Sequence, residues 1–155
     1  PEARARIADG LRSFRALAHR LEVVGEYGGV QWINDSKATN VDSTKVAIAG
    51  MDRPTVLLLG GRHKGEPYSS LAEPIRRHVK VVVAYGEAAP LVETDLREVV
   101  PVVRLGSSFE AVVARARALA ARGDAVLLSP ACSSYDMFDN YEVRGAEFRR
   151  LAGAE

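Results

Sequence analysis

Gln31-Trp32-Ile33-Asn34-Asp35-Ser36-Lys37-Ala38-Thr39-Asn40 is the stretch on which the reading of the fold turns. An apolar run from Val30 to Ile33 stops at Asn34-Asp35. Six of the seven residues from Asn34 to Asn40 are polar, and a helix-like pattern begins near Val41. That order is strand, polar loop, helix. The loop carries a carboxylate (Asp35), an ammonium (Lys37), two hydroxyls (Ser36, Thr39) and two amides (Asn34, Asn40), more polar groups than a simple turn needs. In an open α/β sheet, ligands bind beyond the carboxyl ends of the strands, so this is a candidate ligand loop. The same residues also suit a solvated loop that ends in a good N-cap.

Upstream, Arg20 to Tyr27 reads as a strand joined to Val30–Asn34 by the hairpin signal Gly28-Gly29. Before it, residues 1–13 read as the end of a helix, with Ile7, Leu11 and Phe14 on one face. Downstream the chain alternates. Helices are expected over Val41–Ala49, Ser69–His78, Glu87–Leu96, Phe109–Arg122 and Tyr141–Leu151. Short apolar strands are expected over Thr55–Gly60, Val79–Tyr85, Val102–Leu105 and Ala125–Leu128. The pattern predicts an α/β fold: a Rossmann-like, doubly wound, mainly parallel sheet with one antiparallel edge strand.

The length of 155 residues, with 47% hydrophobic and 26% charged residues, is that of one soluble globular domain. A net charge of +1 offers no broad attraction to nucleic acid or to an anionic membrane, so neither partner is expected and any anion site is local. The single Cys132 excludes an internal disulfide and fits a reducing, cytoplasmic compartment. No run approaches the ~20 apolar residues of a membrane-spanning helix. No signal peptide is visible, and a first residue of Pro rather than Met leads us to expect a piece of a longer chain.

In such a sheet the loops after parallel strands share one edge. Three are chemically rich: Asn34–Asn40, Gly60–Gly65 and Ser129–Tyr141. Gly60-Gly61-Arg62-His63-Lys64-Gly65 has glycines for close backbone approach and three basic side chains. It is not a Walker A loop, because Gly65 follows Lys64, and it is not G-x-G-x-x-G. It suits an anion, or a glycine turn with solvated charges. The third loop leads into a helix N-terminus, where free N–H groups together with Ser133 and Ser134 could hold a carboxylate. Cys132 has no helper His identifiable in sequence and reads as a buried, inert thiol. Ser134 lacks a G-x-S-x-G elbow, and Tyr135, Phe138 and Tyr141 read as packing residues. No His/Cys/Asp/Glu cluster has zinc spacing, so no metal ligand is expected.

These motifs resemble a known family. Asn-Asp-Ser-Lys-Ala-Thr-Asn (34–40) is similar to the motif that opens the C-terminal domain of the D-glutamate-adding Mur ligases. Ser129 to Gly145 resembles their last loop. Ala18-His19-Arg20-Leu21-Glu22 and Gly-Gly-x-x-Lys-Gly (60–65) agree as well, in order, over essentially the whole chain. Sister Mur ligases and folylpolyglutamate synthases usually carry Asp-x-Ala-His or Asp-x-Tyr-Asn-Ala at the first motif. The resemblance implies a three-domain, ATP-dependent ligase acting on UDP-N-acetylmuramoyl-L-alanine in peptidoglycan synthesis. Residues 16–155 would be its C-terminal, amino-acid-binding domain and residues 1–15 the tail of the central domain. That central domain would carry the P-loop and the Mg2+ ligands.

By the same resemblance, Thr39, Lys64, Ser134, Tyr135 and Tyr141 (the last through its backbone N–H) would hold D-glutamate. Asp35 and Asn40 would face the ATP nucleoside. Arg20 and Lys37 would lie toward the phosphates as the catalytic cations. The domain would pack against its own N-terminal and central domains in a monomer. Arg62-His63 departs from the Asp-Gly often found before the lysine, and Tyr135 and Tyr141 stand where Leu and Phe are common. Two other readings stay open: another amino-acid ligase of the same superfamily, and a non-catalytic nucleotide-binding Rossmann-like module.

Overall fold

The computed structural model of the chain describes residues 17–154. The expected helix end over residues 1–13 and the domain boundary after residue 15 lie outside the described residues. Strands β1 (Glu22–Tyr27) and β2 (Val30–Asn34) form an antiparallel hairpin. Its turn residues Gly28 and Gly29 have φ of 61° and 77°, the left-handed pair that a two-residue turn between twisted strands requires. Then follow α1 (Val41–Ala49), β3 (Thr55–Gly60), a 3₁₀ turn (Tyr68–Leu71), α2 (Ala72–His78), β4 (Val79–Tyr85) and α3 (Ala89–Leu96). The chain continues with β5 (Val102–Arg104), α4 (Phe109–Leu119), β6 (Ala125–Leu128) and α5 (Tyr141–Ala152).

The six strands form one sheet in the order β1-β2-β6-β3-β4-β5. Every neighbouring pair except β1–β2 is parallel. The continuous apolar strands β3 and β6 are buried at every position, as strands covered on both faces must be. Alternate residues serve the two faces. Ile33, Leu57, Leu59 and Leu127 pack with α1, the 3₁₀ turn, α2 and α3. Trp32, Val56, Leu58, Val126 and Leu128 pack with α4 and α5. The result is the expected three-layer α/β arrangement, with β1 as the antiparallel edge.

The last strand in the chain, β6, lies between β2 and β3. Asn34 pairs with Leu128, and Leu128 with Leu58, so these three strands reach the carboxyl edge nearly level. The chain leaves β2 and β3 toward one face and β6 toward the other. A reversal of that kind is where open α/β sheets place their ligand crevice.

The boundaries differ from expectation where side chains claim backbone groups. β1 begins at Glu22 rather than Arg20, because His19 and Leu21 adopt φ of 64° and 44° and the Leu21 N–H donates to Asp35. The helix expected from Ser69 opens as a 3₁₀ turn, with the Tyr68 N–H donated to Asp95. The helix expected from Glu87 starts at Ala89, because the Glu87 N–H goes to Asp136. α4 stops at Leu119 instead of Arg122. There Asp124 accepts the Ala121 N–H at 2.7 Å and pairs with Lys80 at 2.6 Å, turning the chain into β6.

Gly60 ends β3 against β4, and a Cβ there would overlap the Tyr85 carbonyl. Gly60→Ala is therefore expected to lower stability by about 1–3 kcal/mol in urea unfolding, the usual cost of overpacking against a backbone that cannot yield. A loss below about 0.5 kcal/mol would show that β3 and β4 separate more easily than this packing implies.

Candidate functional site

The loop after β2 is held mainly by its buried members. The Asp35 N–H donates to Leu128 O at 2.8 Å, continuing the β2–β6 ladder into the loop. Asp35 is only 4% exposed. Its Oδ1 accepts the Leu21 N–H at 3.1 Å and its Oδ2 accepts from Ser129 Oγ at 2.7 Å. Burial pushes the Asp35 carboxyl above its ordinary value, outweighing the opposing pull of Ser129, the Leu21 N–H and Arg20. Asn34, fully buried, accepts the Ser36 N–H at 3.1 Å and meets His19 Nδ1 at 2.9 Å. The His19 carbonyl accepts the Lys37 N–H at 2.9 Å, so the turn before β1 lies against the loop after β2.

Arg20, Leu21, Asp35, Lys37 and Val46 line a cleft of about 330 Å³. Arg20 and Lys37 are exposed cations at that cleft, Asp42 is an exposed carboxylate, Asp35 is a buried acceptor, and Leu21 and Val46 are exposed apolar surface. Such a cleft suits a ligand with an anionic end, a hydroxyl to donate and an apolar part. Three of the four residues expected to face a nucleotide meet here. The fourth, Asn40, caps α1, its Oδ1 accepting the Ser43 N–H at 2.9 Å.

The loops after β3 and β6 are fastened to each other. The Gly60 N–H donates to Pro130 O at 3.2 Å and the Arg62 N–H to Ser133 O at 3.0 Å. The Ala131 N–H donates to Ala38 O at 3.0 Å, joining the last loop to the first. All three chemically rich segments therefore meet along one edge, as expected. Arg62 pairs with Glu87 at 3.2 Å, so its charge is offset, while Lys64 stands exposed. Thr39 is half-buried and Ser134 buried. Tyr141 opens α5 behind the Asn140 cap, its ring edge-on to His19.

One expectation needs correction. Tyr135, read from sequence as packing, is 64% exposed and so does not pack. Cys132 does lie in a chain of contacts that reaches a histidine: its Sγ is 3.0 Å from Tyr68 Oη, which is 2.9 Å from His63 Nδ1. The inert-thiol reading nevertheless holds. Cys132 is fully buried, and desolvation pushes its thiol up to about 11.

Sequence reasoning missed Arg144. It is fully buried on α5, and no carboxylate among the described residues pairs with it. Its Nε donates to Ser36 Oγ at 2.9 Å, its Nη2 to Ser36 O at 2.7 Å and its Nη1 to Cys132 O at 3.1 Å. Ser36 Oγ in turn donates to Tyr141 O at 2.7 Å. One guanidinium thus ties the first loop, the last loop and α5 together. Burial lowers its pKa from the ordinary value. The signal was available: Arg144 stands four residues before Phe148 and seven before Leu151, on the face that helical spacing assigns to the core.

A family model described as the Mur ligase, glutamate ligase domain matches residues 19–132. The chain belongs to this family. The Mur ligase domain is 49% identical, over 92% of its length, to the UDP-N-acetylmuramoylalanine--D-glutamate ligase of Anaeromyxobacter dehalogenans, and covers 31% of that protein. It spans about a third of the length of the curated relatives it matches. In fold it is similar to the bifunctional folylpolyglutamate synthase/dihydrofolate synthase of Yersinia pestis, with a TM-score of 0.64, 16% identity and coverage of 96% of this chain and 34% of that one. It is also similar to the MurF ligase of Thermotoga maritima in complex with ADP, with a TM-score of 0.55, 15% identity and coverage of 90% and 31%.

Asp35 offers a test of the site's electrostatics. Its carboxyl titrates above the ordinary 3.8 in the folded state. Its favourable contribution is therefore full below that value and is lost as the pH rises through the raised one. At pH 7 the ionised group is a cost. Asp35→Asn keeps both contacts if its amide donates to Ser129 Oγ, whose own proton can turn to Thr44 Oγ1 at 3.1 Å. The variant should melt at or above the wild-type Tm at pH 7, with the difference closing as the pH falls toward 4. A clear loss of Tm at pH 7 would mean that the carboxylate is held for stability.

Proposed function

We propose that this Mur ligase domain is the C-terminal, amino-acid-binding part of an ATP-dependent ligase that joins D-glutamate to UDP-N-acetylmuramoyl-L-alanine in peptidoglycan synthesis. The observation that carries the reading is the meeting of the Asn34–Asn40, Gly60–Gly65 and Ser129–Tyr141 segments beside a cleft with two cations and a buried acceptor. The relatives named for D-glutamate support the choice of amino acid. The MurF ligase alike in fold is in complex with ADP, which supports a nucleotide as a ligand of the longer protein. The fold alone does not choose the amino acid, because a folylpolyglutamate synthase shares it.

In this reading, a carboxylate oxygen of UDP-N-acetylmuramoyl-L-alanine attacks the γ-phosphorus of ATP, and ADP leaves. The D-glutamate amine then attacks the acyl phosphate, and the tetrahedral intermediate collapses to the amide with loss of inorganic phosphate. Arg20 and Lys37 offset charge on the phosphates. Asp35 accepts from a ribose hydroxyl and Asn40 lies on the nucleotide side. Lys64, Thr39 and Ser134, with the backbone near Tyr135 and Tyr141, take the two carboxylates of D-glutamate and leave its amine free. Among the described residues, no group of three or more His, Cys, Asp or Glu could hold a metal. By the family resemblance, Mg2+ is assigned to the central domain of the longer protein, together with the P-loop.

Residues 1–15 are the tail of that central domain, and this domain closes over the nucleotide to exclude water from the acyl phosphate. The longer protein works as a cytoplasmic monomer, without nucleic acid or membrane as a partner. Among the described residues, no helix is long and apolar enough to cross a membrane.

Two measurements test the reading. Lys64→Ala in the full-length ligase should raise the KM for D-glutamate at least tenfold, the worth of a hydrogen bond to a charged group, while the KM for ATP changes little. An unchanged D-glutamate KM would remove Lys64 from the site. The isolated chain, lacking a Gly-Lys-Ser/Thr loop, should form no product from the three substrates, and product formation would contradict the division of labour.

A further inference from the structure

We propose that Tyr68 and His63 are positioning residues, which hold the Gly60–Gly65 loop so that Lys64 is presented to the amino-acid substrate. This rests on the assignment of Lys64 to D-glutamate, and it adds residues that neither touch the substrate nor belong to the loop's own backbone bonding.

The backbone of the loop is fixed only as far as Arg62. Gly60, Gly61 and Arg62 each donate an N–H to a neighbouring strand or loop. From His63 through Glu66 the backbone makes no hydrogen bond to another described residue. Gly65 follows Lys64 with φ of 95°, and a Cβ there would meet no described residue within 4 Å. The tether that remains is a side chain. His63 Nδ1 lies 2.9 Å from Tyr68 Oη, with the two rings 5.4 Å apart.

Tyr68 is a fixed anchor for that tether. It is 1% exposed, its N–H donates to Asp95 Oδ2 at 2.9 Å, and its hydroxyl lies 3.0 Å from Cys132 Sγ. Cys132 belongs to the last loop, and its carbonyl accepts from Arg144. The contacts therefore run from Arg144 through Cys132 and Tyr68 to His63, the residue just before Lys64. A cation on an otherwise unbonded loop must lose conformational freedom on binding, and tethering its neighbour removes part of that loss beforehand. A hydroxyl kept only to satisfy a buried thiol would have no need of His63.

The test uses the full-length ligase and two independent readouts. Tyr68→Phe keeps the ring and removes the tether. Cleavage by a lysine-specific protease after Lys64 should accelerate roughly three- to tenfold, as the local open population grows by about the worth of one hydrogen bond. Cleavage after Lys37, Lys45 and Lys80 should not change. The KM for D-glutamate should rise by a similar factor, at constant kcat and constant KM for ATP. In the Lys64→Ala background the substitution should have no further effect on the D-glutamate KM.

An unchanged rate after Lys64, or equal acceleration at all four lysines, overturns the proposal, since the latter is what general destabilisation produces. His63→Ala, which leaves the core intact, must reproduce the Tyr68→Phe effects. If Lys64→Ala alone leaves D-glutamate kinetics untouched, the assignment of Lys64 to D-glutamate fails, and the positioning role with it. If Lys64→Ala acts and Tyr68→Phe does not, only the positioning role fails.

Discussion

The buried guanidinium of Arg144 is the interaction on which the site depends. A buried arginine in no direct ion pair is expensive to desolvate, and it persists only where other groups satisfy its N–H donors. Here the acceptors are the Ser36 carbonyl and hydroxyl and the Cys132 carbonyl. The two Ser36 acceptors belong to the first ligand loop and the Cys132 carbonyl to the last. Satisfying the charge and assembling the site are therefore one event. The Ser36 hydroxyl, which accepts from Arg144 and donates to Tyr141 O, closes the arrangement onto the first turn of α5.

This clamp can work because of strand order. With β6 between β2 and β3, three loops distant in sequence emerge side by side. Within each loop, labour divides by burial. Asn34, Asp35, Ser36, Ser129 and Cys132 are buried and bond to one another or to neighbouring backbone. Lys37 and Lys64 are exposed and face solvent. The buried members give the loops a fixed shape, and the exposed cations are what a ligand would meet. Asp35 sits at the boundary, adjoining the cleft, with its carboxyl held above the ordinary value by burial.

Much of this was legible from residue patterns. The strand–helix alternation, the Gly28-Gly29 turn and the chemical density after β2, β3 and β6 were each carried by local signals: apolar runs, left-handed turn residues and polar clusters. The sheet edge where those clusters meet follows from topology alone. What was hidden depends on contacts between distant residues. The chain positions of Arg144 and Ser36 say nothing of their hydrogen bonds. The partnership of His63, Tyr68 and Cys132 joins a glycine loop, a 3₁₀ turn and the last loop, and only the packed sheet brings them together. Helix ends shifted for a related reason: Asp136 and Asp124 take backbone N–H groups that a periodicity argument leaves inside the helix, and Asp95 takes that of Tyr68, just before one.

The central claim is that one buried charge holds the first and last loops in register for two different ligands. Its most direct test is steady-state kinetics of Arg144→Met in the full-length ligase, with the folded fraction checked at the assay temperature. Release of Ser36 and Cys132 together should raise the KM for ATP and the KM for D-glutamate in parallel, each by about tenfold. A folded Arg144→Met enzyme with both KM values unchanged would contradict the account.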